Sequence, residues 1–160
     1  MIKKIGKKDK FKPYVCNNET CIISWGYQDL QEKGFGEWYS EQFKTIPDLS
    51  TIKKTVLDWY NSEIDKDILS GMTWKGYSVW LSTENQFNYK AAFDIAIQTN
   101  GENLPIVFKL GTTDNPVYYE FKEIDELKDF YFKSHAFIQD TLMKGWKKKD
   151  AIDWGVYKNN

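Results

Sequence analysis

The chain lacks arginine entirely and has few of the other residues that build reactive sites. All 22 basic residues are lysines, and the 160 residues include one histidine and two cysteines. Arginine's planar fork is the usual reader of guanine and of phosphate, so its absence disfavours sequence-specific nucleic-acid recognition. Lysines still allow salt-sensitive binding to a phosphate backbone. Two cysteines do not make a disulfide framework, and with one distant histidine they do not make a zinc site.

Long apolar runs are missing as well. No stretch of about 18 uncharged apolar residues is present, which argues against a membrane span. Residues 1–12 show no charged-then-apolar leader, so we expect no signal peptide. A hydrophobic content of 41% and a charged content of 28% are typical of a soluble globular protein. The length fits one domain, or one compact domain with a smaller appendage.

Aromatic residues and the placement of charge are the two positive biases. The chain holds 7 Trp, 10 Tyr and 10 Phe, and large rings fill cores but are also enriched at interfaces. Two interpretations stay open: a core built from rings, or several exposed rings that contact a partner protein or a glycan. Residues 1–12 carry a net charge of +5 and residues 144–160 carry +3, against −9 between them. A basic arm can dock onto an acidic neighbour, including another copy, whereas the alternative is a solvated, frayed end.

Signatures of catalysis are sparse. There is no Gly-x-Ser-x-Gly motif and no glycine-rich phosphate loop. His135 falls in the middle of a predicted helix, where a packed or surface histidine is the commoner case. The acids at 123–126 fall in the first turn of a helix, where the helix dipole alone favours them. No other spacing of acids singles out a glycosidase pair, so we predict no catalytic residues, no metal and no cofactor.

The first third of the chain is predicted to be β-rich. Residues 1–10 form a basic arm without an apolar period, and residues 11–16 and 21–28 form strands around a turn at 17–18. Cys16 and Cys21 are predicted to face each other across this hairpin as reduced thiols of a cytoplasmic protein. Residues 29–47 are ambiguous, because two glycines interrupt any regular element; we predict a loop or short helix there that carries anchoring rings.

The rest of the chain predicts an α+β fold. A helix follows Pro47, capped by Asp48 or Ser50, and ends before Gly71. Hairpins are predicted at 72–81 and 105–121, and each is followed by a helix. Thr83 and Gln86 have the form of a capping box for the helix after the first hairpin. The helix after the second hairpin covers 124–144 and ends at Gly145. The predicted class is antiparallel hairpins with helices packed on one face, as two successive hairpin-plus-helix units after a long helix. The predicted segments are a basic arm (1–10), a β-rich adaptor region (11–48), the hairpin–helix module with its leading helix (49–153) and a tail (154–160).

Part of this module resembles a phage and prophage tail-associated domain family of uncharacterised function. The likeness is carried by GMTWKGYSVWLSTENQFNYKAA at 71–92, NLP at 103–105, FKLG at 108–111, PVYY at 116–119 and GWKKKDAID at 145–153. It covers about residues 50–153, and the chain matches the family's order of elements. Because members are found among phage tail and fibre genes, the resemblance implies a virion component or an assembly factor. It implies no catalytic residues.

Together with the lack of catalytic signatures, this resemblance implies a non-enzymatic phage virion protein, a small adaptor or decoration subunit of the tail or fibre apparatus. It would be made in the host cytoplasm, reside in the virion, and bind other phage structural proteins or further copies of itself, but neither a membrane nor specific nucleic-acid sequences. The alternatives are a tail-fibre assembly chaperone, a glycan-acting enzyme, or nucleic-acid binding through the lysine-rich ends. The predicted contact residues lie near the two ends of the chain: Trp25, Tyr27, Trp38, Trp146, Lys147, Lys148, Lys149 and Trp154.

Overall fold

The computed structural model describes residues 1–158 and divides the chain into two compact units. Unit 1 is formed by residues 1–60 and 149–158, and unit 2 is formed by residues 61–148. The predicted α+β class is confirmed, with three α-helices and eight strands in antiparallel sheets among the described residues. These units follow different boundaries from the four predicted segments, because both ends of the chain enter unit 1.

Unit 1 is built on a four-stranded antiparallel sheet in the order β1-β4-β3-β2. The predicted hairpin is confirmed as β2 and β3, joined by a turn in which the Asn17 side chain accepts bonds from the N–H groups of Glu19 and Thr20. The strands are β1 (Ile2–Lys7), β2 (Tyr14–Cys16), β3 (Cys21–Asp29) and β4 (Phe35–Phe43).

The prediction of an irregular basic arm at 1–10 is wrong for most of its length. Residues 2–7 form the edge strand β1, which pairs with β4 from Ile2 opposite Ser40 to Lys7 opposite Phe35. Lys3 also forms an ion pair with Glu37 at 2.7 Å. The sequence signal is absent because the side chains of β1 are largely exposed, so main-chain hydrogen bonds rather than an apolar period fix the strand.

The prediction of a loop or short helix at 29–47 is also wrong, because residues 35–43 form the nine-residue strand β4. Gly36, Trp38 and Ser40 are buried at alternate positions, as the two-residue period of a strand requires. Gly36 does not interrupt the strand. It makes room for the Tyr27 ring, whose atoms lie 2.5 Å from where a Cβ would stand.

Cys16 and Cys21 occupy directly opposed positions at the end of the β2–β3 hairpin, as predicted. Their sulfur atoms are bonded to each other, which contradicts the prediction of reduced thiols. The hairpin register is the physical reason, since it leaves each cysteine facing the other across the pair of strands.

The core of unit 1 forms between this sheet and the first turns of helix α1 (Leu49–Ser70). The predicted cap is confirmed, because Asp48 accepts a 2.8 Å bond from the Thr51 N–H. The C-terminal end of the chain completes this core with a single 3₁₀ turn (Trp154–Tyr157), from which the buried Tyr157 hydroxyl donates to the Ser24 carbonyl at 2.9 Å. The buried apolar side chains are Cys21, Ile23, Trp25, Ile52, Val56, Trp59 and Tyr157.

Unit 2 contains the two predicted hairpin-plus-helix units, which are confirmed. Helix α2 is capped by Ser82, which accepts from the Asn85 N–H, rather than by the predicted box at Thr83. The Gln86 side chain instead donates to the Leu81 carbonyl at 2.7 Å. The elements are β5 (Met72–Trp74), β6 (Tyr77–Val79), α2 (Thr83–Gln98), β7 (Ile106–Gly111), β8 (Pro116–Phe121) and α3 (Ile124–Asp150).

The Phe130 ring is the centre of the unit 2 core. Its centroid lies 4.9 Å from that of Tyr89, 5.2 Å from those of Trp74 and Phe121, and 5.4 Å from that of Phe108. Phe130 and Phe121 are fully buried. Many of these pairs are edge-to-face or tilted, the arrangements that the ring quadrupole favours over a face-to-face sandwich.

The predicted end of the last helix at Gly145 is wrong, because α3 continues to Asp150. Gly145 lies buried inside the helix, where the Ile64 side chain occupies the space that a Cβ would need. A glycine here signals close packing rather than a helix stop. Trp146 and the three lysines that follow it are therefore helical and lie beyond the predicted helix end at residue 144.

Candidate functional site

Two of the predicted contact residues are core residues. Trp25 is 3% exposed and packs edge-to-face on Trp59, and Trp38 is 5% exposed beneath the rings of Phe11 and Tyr27. Both belong to strand positions that point into packed faces of the sheet. The structure therefore contradicts their prediction as exposed contact rings.

Tyr27 and Trp154 are half-buried and have packing partners within unit 1. The Tyr27 hydroxyl donates to Asp29 Oδ1 at 2.9 Å, and burial together with this carboxylate raises the pKa of the phenol. The ring centroids of Trp154 and Tyr157 lie 6.1 Å apart, and Lys53 Nζ lies 5.6 Å from the Trp154 centroid. The geometry of both residues is that of rings that anchor loop and terminal segments.

The last turns of α3 present an exposed apolar and basic surface in unit 2, here called the α3 patch and defined as Met143, Trp146 and Lys147. The three residues follow the i, i+3, i+4 spacing of a single helix face. Met143 and Trp146 are each 47% exposed, and Lys147 is exposed beside them. Lys148 is also exposed, and Lys149 is half-buried. Of the predicted contact residues, Trp146 and Lys147 lie in this patch.

A second candidate is a groove in unit 2, here called the β7 groove, with a volume of about 330 Å³. Residues 107–113 line it continuously, and Trp80, Asn85, Asn88 and Tyr89 form its other side. This volume is at the lower end of the range for small-ligand sites, and the lining mixes apolar rings with a few polar groups, as such sites do.

The main chain along the β7 groove has unpaired hydrogen-bonding groups. β7 and β8 form a two-stranded sheet, so one edge of β7 carries no ladder within the described residues. The hairpin closes with the Thr112 N–H donating to the Asn115 carbonyl. Because paired and unpaired positions alternate in an antiparallel ladder, the N–H and C=O groups of Val107, Lys109 and Gly111 point away from β8, to the side of β7 that carries no ladder.

The opposite side of the β7 groove is fixed by hydrogen bonds to one carbonyl. The Trp80 C=O accepts from Asn85 Nδ2 at 3.1 Å and from the Tyr89 hydroxyl at 3.3 Å. Burial raises the pKa of Tyr89 to about 12, so the phenol stays protonated and keeps donating. The Trp80 indole itself is 54% exposed, which leaves an apolar face in contact with solvent at the groove.

A polar network joins the β5–β6 turn to α3. Lys75 and the Tyr119 hydroxyl both donate to Glu126 Oε1, the latter at 2.5 Å, and Trp74 Nε1 donates to Asp129 at 2.9 Å. The hydrogen bond from Lys75 lowers the pKa of Glu126, and the same bond raises the pKa of Lys75. Both groups are thus charged near neutral pH, and the network acts as a structural ion pair rather than as an acid–base pair.

His135 and the acidic side chains do not form a catalytic or metal-binding cluster within residues 1–158. His135 is exposed on α3 and stacks on Tyr131, with ring centroids 6.3 Å apart. Among residues 1–158 no three His, Cys, Asp or Glu side chains are grouped so as to hold a metal ion. Within the same residues, no helix combines the length and the apolar character that a membrane crossing requires.

Sequence reasoning missed the β7 groove. The available signal was the alternation of buried Val79, exposed Trp80 and buried Leu81, together with exposed Val107 and Lys109 around buried Phe108. Outward-facing large apolar residues at the ends of hairpin strands mark an interaction surface.

Comparisons of the chain with protein-family models, with curated proteins and with solved structures gave no match.

Proposed function

We propose that this protein is a non-enzymatic structural protein of a phage virion, a small adaptor or decoration subunit of the tail or fibre apparatus that binds other virion proteins. The observation that carries the binding role is the α3 patch. The resemblance of residues 50–153 to a phage tail-associated family supplies the biological setting. Its partners are other phage structural proteins or further copies of itself.

The α3 patch has the chemistry of a protein contact. Tryptophan is enriched among the residues that dominate binding energy at protein interfaces, and methionine adapts its shape to the partner. None of the ion pairs among the described residues involves Lys147 or Lys148. These ammonium groups are therefore available to an acidic partner surface, which adds orientation and speed to the encounter.

Composition of purified particles tests the proposal. Mass spectrometry of mature virions should find the protein at a fixed copy number, and Trp146→Ala should lower its incorporation at least tenfold. Phe87→Ala is the matched control, since Phe87 is an exposed ring of unit 2 outside the patch. Presence in assembling particles but absence from mature ones would contradict the structural role and favour an assembly chaperone.

A further inference from the structure

We propose that the β7 groove binds a short, extended, acidic peptide segment of another protein, which adds to β7 as a new strand. This site is separate from the α3 patch, and it does not depend on the virion assignment. The juxtaposition that carries it is an unpaired strand edge lying along a groove, beside an exposed indole and a lysine without an ion pair.

The free edge supplies the main-chain part of the recognition. Val107, Lys109 and Gly111 direct their N–H and C=O groups away from β8, at the spacing that a second extended chain matches. Strand addition to such an edge is a recurrent mode of peptide recognition, in which main-chain bonds supply affinity. Val107 to Gly111 spans four residue steps, about 13 Å at 3.3 Å per residue, so the bound segment has about five residues.

The other edge of the same sheet lacks these features. β8 begins with Pro116, which has no N–H to donate. Proline is a usual means by which proteins block an edge strand. The contrast places the addition on β7.

Side chains around the groove define the chemistry of the segment. Lys109 is the only charged residue lining the groove, and it is in none of the ion pairs found among residues 1–158. Its ammonium group favours an Asp or Glu on the added strand. The exposed face of Trp80 favours an apolar side chain, and alternation of the two along the strand satisfies both.

Selection from a displayed library of random heptapeptides tests the site. On the wild-type protein, enriched sequences should alternate acidic and apolar residues. In ¹⁵N spectra the best synthetic peptide should shift the amides of Val107, Lys109 and Gly111. Methylating alternate amide nitrogens of that peptide should weaken its binding at least tenfold, because the ladder loses its donors.

Variants of the exposed lining separate this site from others. Lys109→Glu should weaken the peptide at least tenfold and Trp80→Ala about tenfold, while Lys144→Glu, with the same charge change on α3, should stay within twofold. Trp80 and Lys109 are both exposed, so their substitution should leave the fold intact. The ¹⁵N spectrum of each variant, compared with that of the wild-type protein, checks this. No enriched peptide, or enriched peptides indifferent to N-methylation and to Lys109→Glu, would overturn the proposal. A third outcome would also overturn it: the protein binds no peptide but binds an oligosaccharide on a glycan array, and Trp80→Ala abolishes that binding. This result would assign the groove to a sugar.

Discussion

The two units of this protein close their cores in different ways. In unit 2 the packed rings come from one continuous stretch of chain, residues 61–148, and Phe130 contacts rings from both hairpins and from α2. In unit 1 the sheet near the start of the chain is completed by Tyr157, 133 residues beyond the Ser24 carbonyl to which it donates. The stability of unit 2 therefore depends on residues within one stretch of chain, whereas the stability of unit 1 also depends on a segment far along the chain from its sheet.

The buried polar groups of the two cores differ as well. In unit 2 the indole N–H of buried Trp74 donates to Asp129. In unit 1 the buried indole N–H groups of Trp25 and Trp59 have no acceptor among the described residues. Since an unpaired buried donor costs about 1–3 kcal/mol, unit 1 depends more heavily on apolar packing and on its terminal segment.

Tyr157→Ala tests the dependence of unit 1 on the end of the chain and should have the largest effect. It removes a buried ring and a buried hydrogen bond, so the free energy of unfolding should fall by about 3–5 kcal/mol. Denaturant unfolding measures the loss, and hydrogen exchange should show it first in β3. Tyr118→Ala, at a 69% exposed ring of unit 2, should change stability by no more than about 0.5 kcal/mol. Equal stability of the two variants would contradict the comparison.

Matched tryptophan substitutions test the difference in polar pairing. Trp74→Phe and Trp25→Phe each remove the pyrrole part of a buried indole, so their packing losses are similar. Only Trp74→Phe breaks a hydrogen bond, to Asp129, and it should cost about 1–2 kcal/mol more in unfolding free energy. Urea unfolding of both variants measures this. An equal or larger loss for Trp25→Phe would show that the N–H pairing does not distinguish the units.

Acid should act on unit 2 through Glu126, with the smallest effect of the three. Because its folded pKa is lowered from 4.5 by Lys75 and Tyr119, its contribution is fully present above pH 4.5 and is lost as the pH falls through the folded value. Glu126→Gln should flatten the acid limb of a stability–pH curve in unit 2, with a loss at neutral pH below about 1 kcal/mol, because the pair is partly solvent-screened.

The matched control for acid is Glu102→Gln, an exposed glutamate outside the network. It should leave the acid limb unchanged. In unit 1 the closing bond from Tyr157 to Ser24 is between neutral groups, and burial raises the pKa of this phenol. This bond therefore does not titrate at pH 3–5, whereas the Glu126 network does, and an acid limb that Glu126→Gln leaves unchanged would contradict the prediction.

Local patterns were enough to predict most of unit 2. The Lys75–Gly76 turn, with positive φ at both residues, and the helix that ends before Gly71 follow from turn and cap chemistry that depends on residues close in sequence. The same reasoning failed for β1 and β4. β1 has no side-chain period, and the alternation of β4 is hidden by Gly36, whose place in the strand depends on Tyr27.

The candidate sites were predicted only in part, for the same reason. Trp146 and Lys147 were identified because a lysine run beside a tryptophan is visible in the sequence, although the predicted helix stopped short of them at residue 144. Trp25 and Trp38 were predicted to be contact rings, Trp38 on a loop or short helix, but both are buried strand residues. An aromatic ring in a strand is equally compatible with a core face and an exposed face until the partner strands and their register are known.

The amino-acid sequence by itself determined the α+β class, the order of the two hairpin-plus-helix units and the chemical bias towards binding, because caps, turns and side-chain periods act over a few neighbouring residues. Tertiary structure alone decided that residues 2–7 form an edge strand, that Gly145 packs against Ile64, that Tyr157 closes unit 1, and that one edge of β7 stays unpaired beside Trp80. Each of these depends on which distant segments meet, and the free energy of that choice comes from burial and pairing across the whole fold.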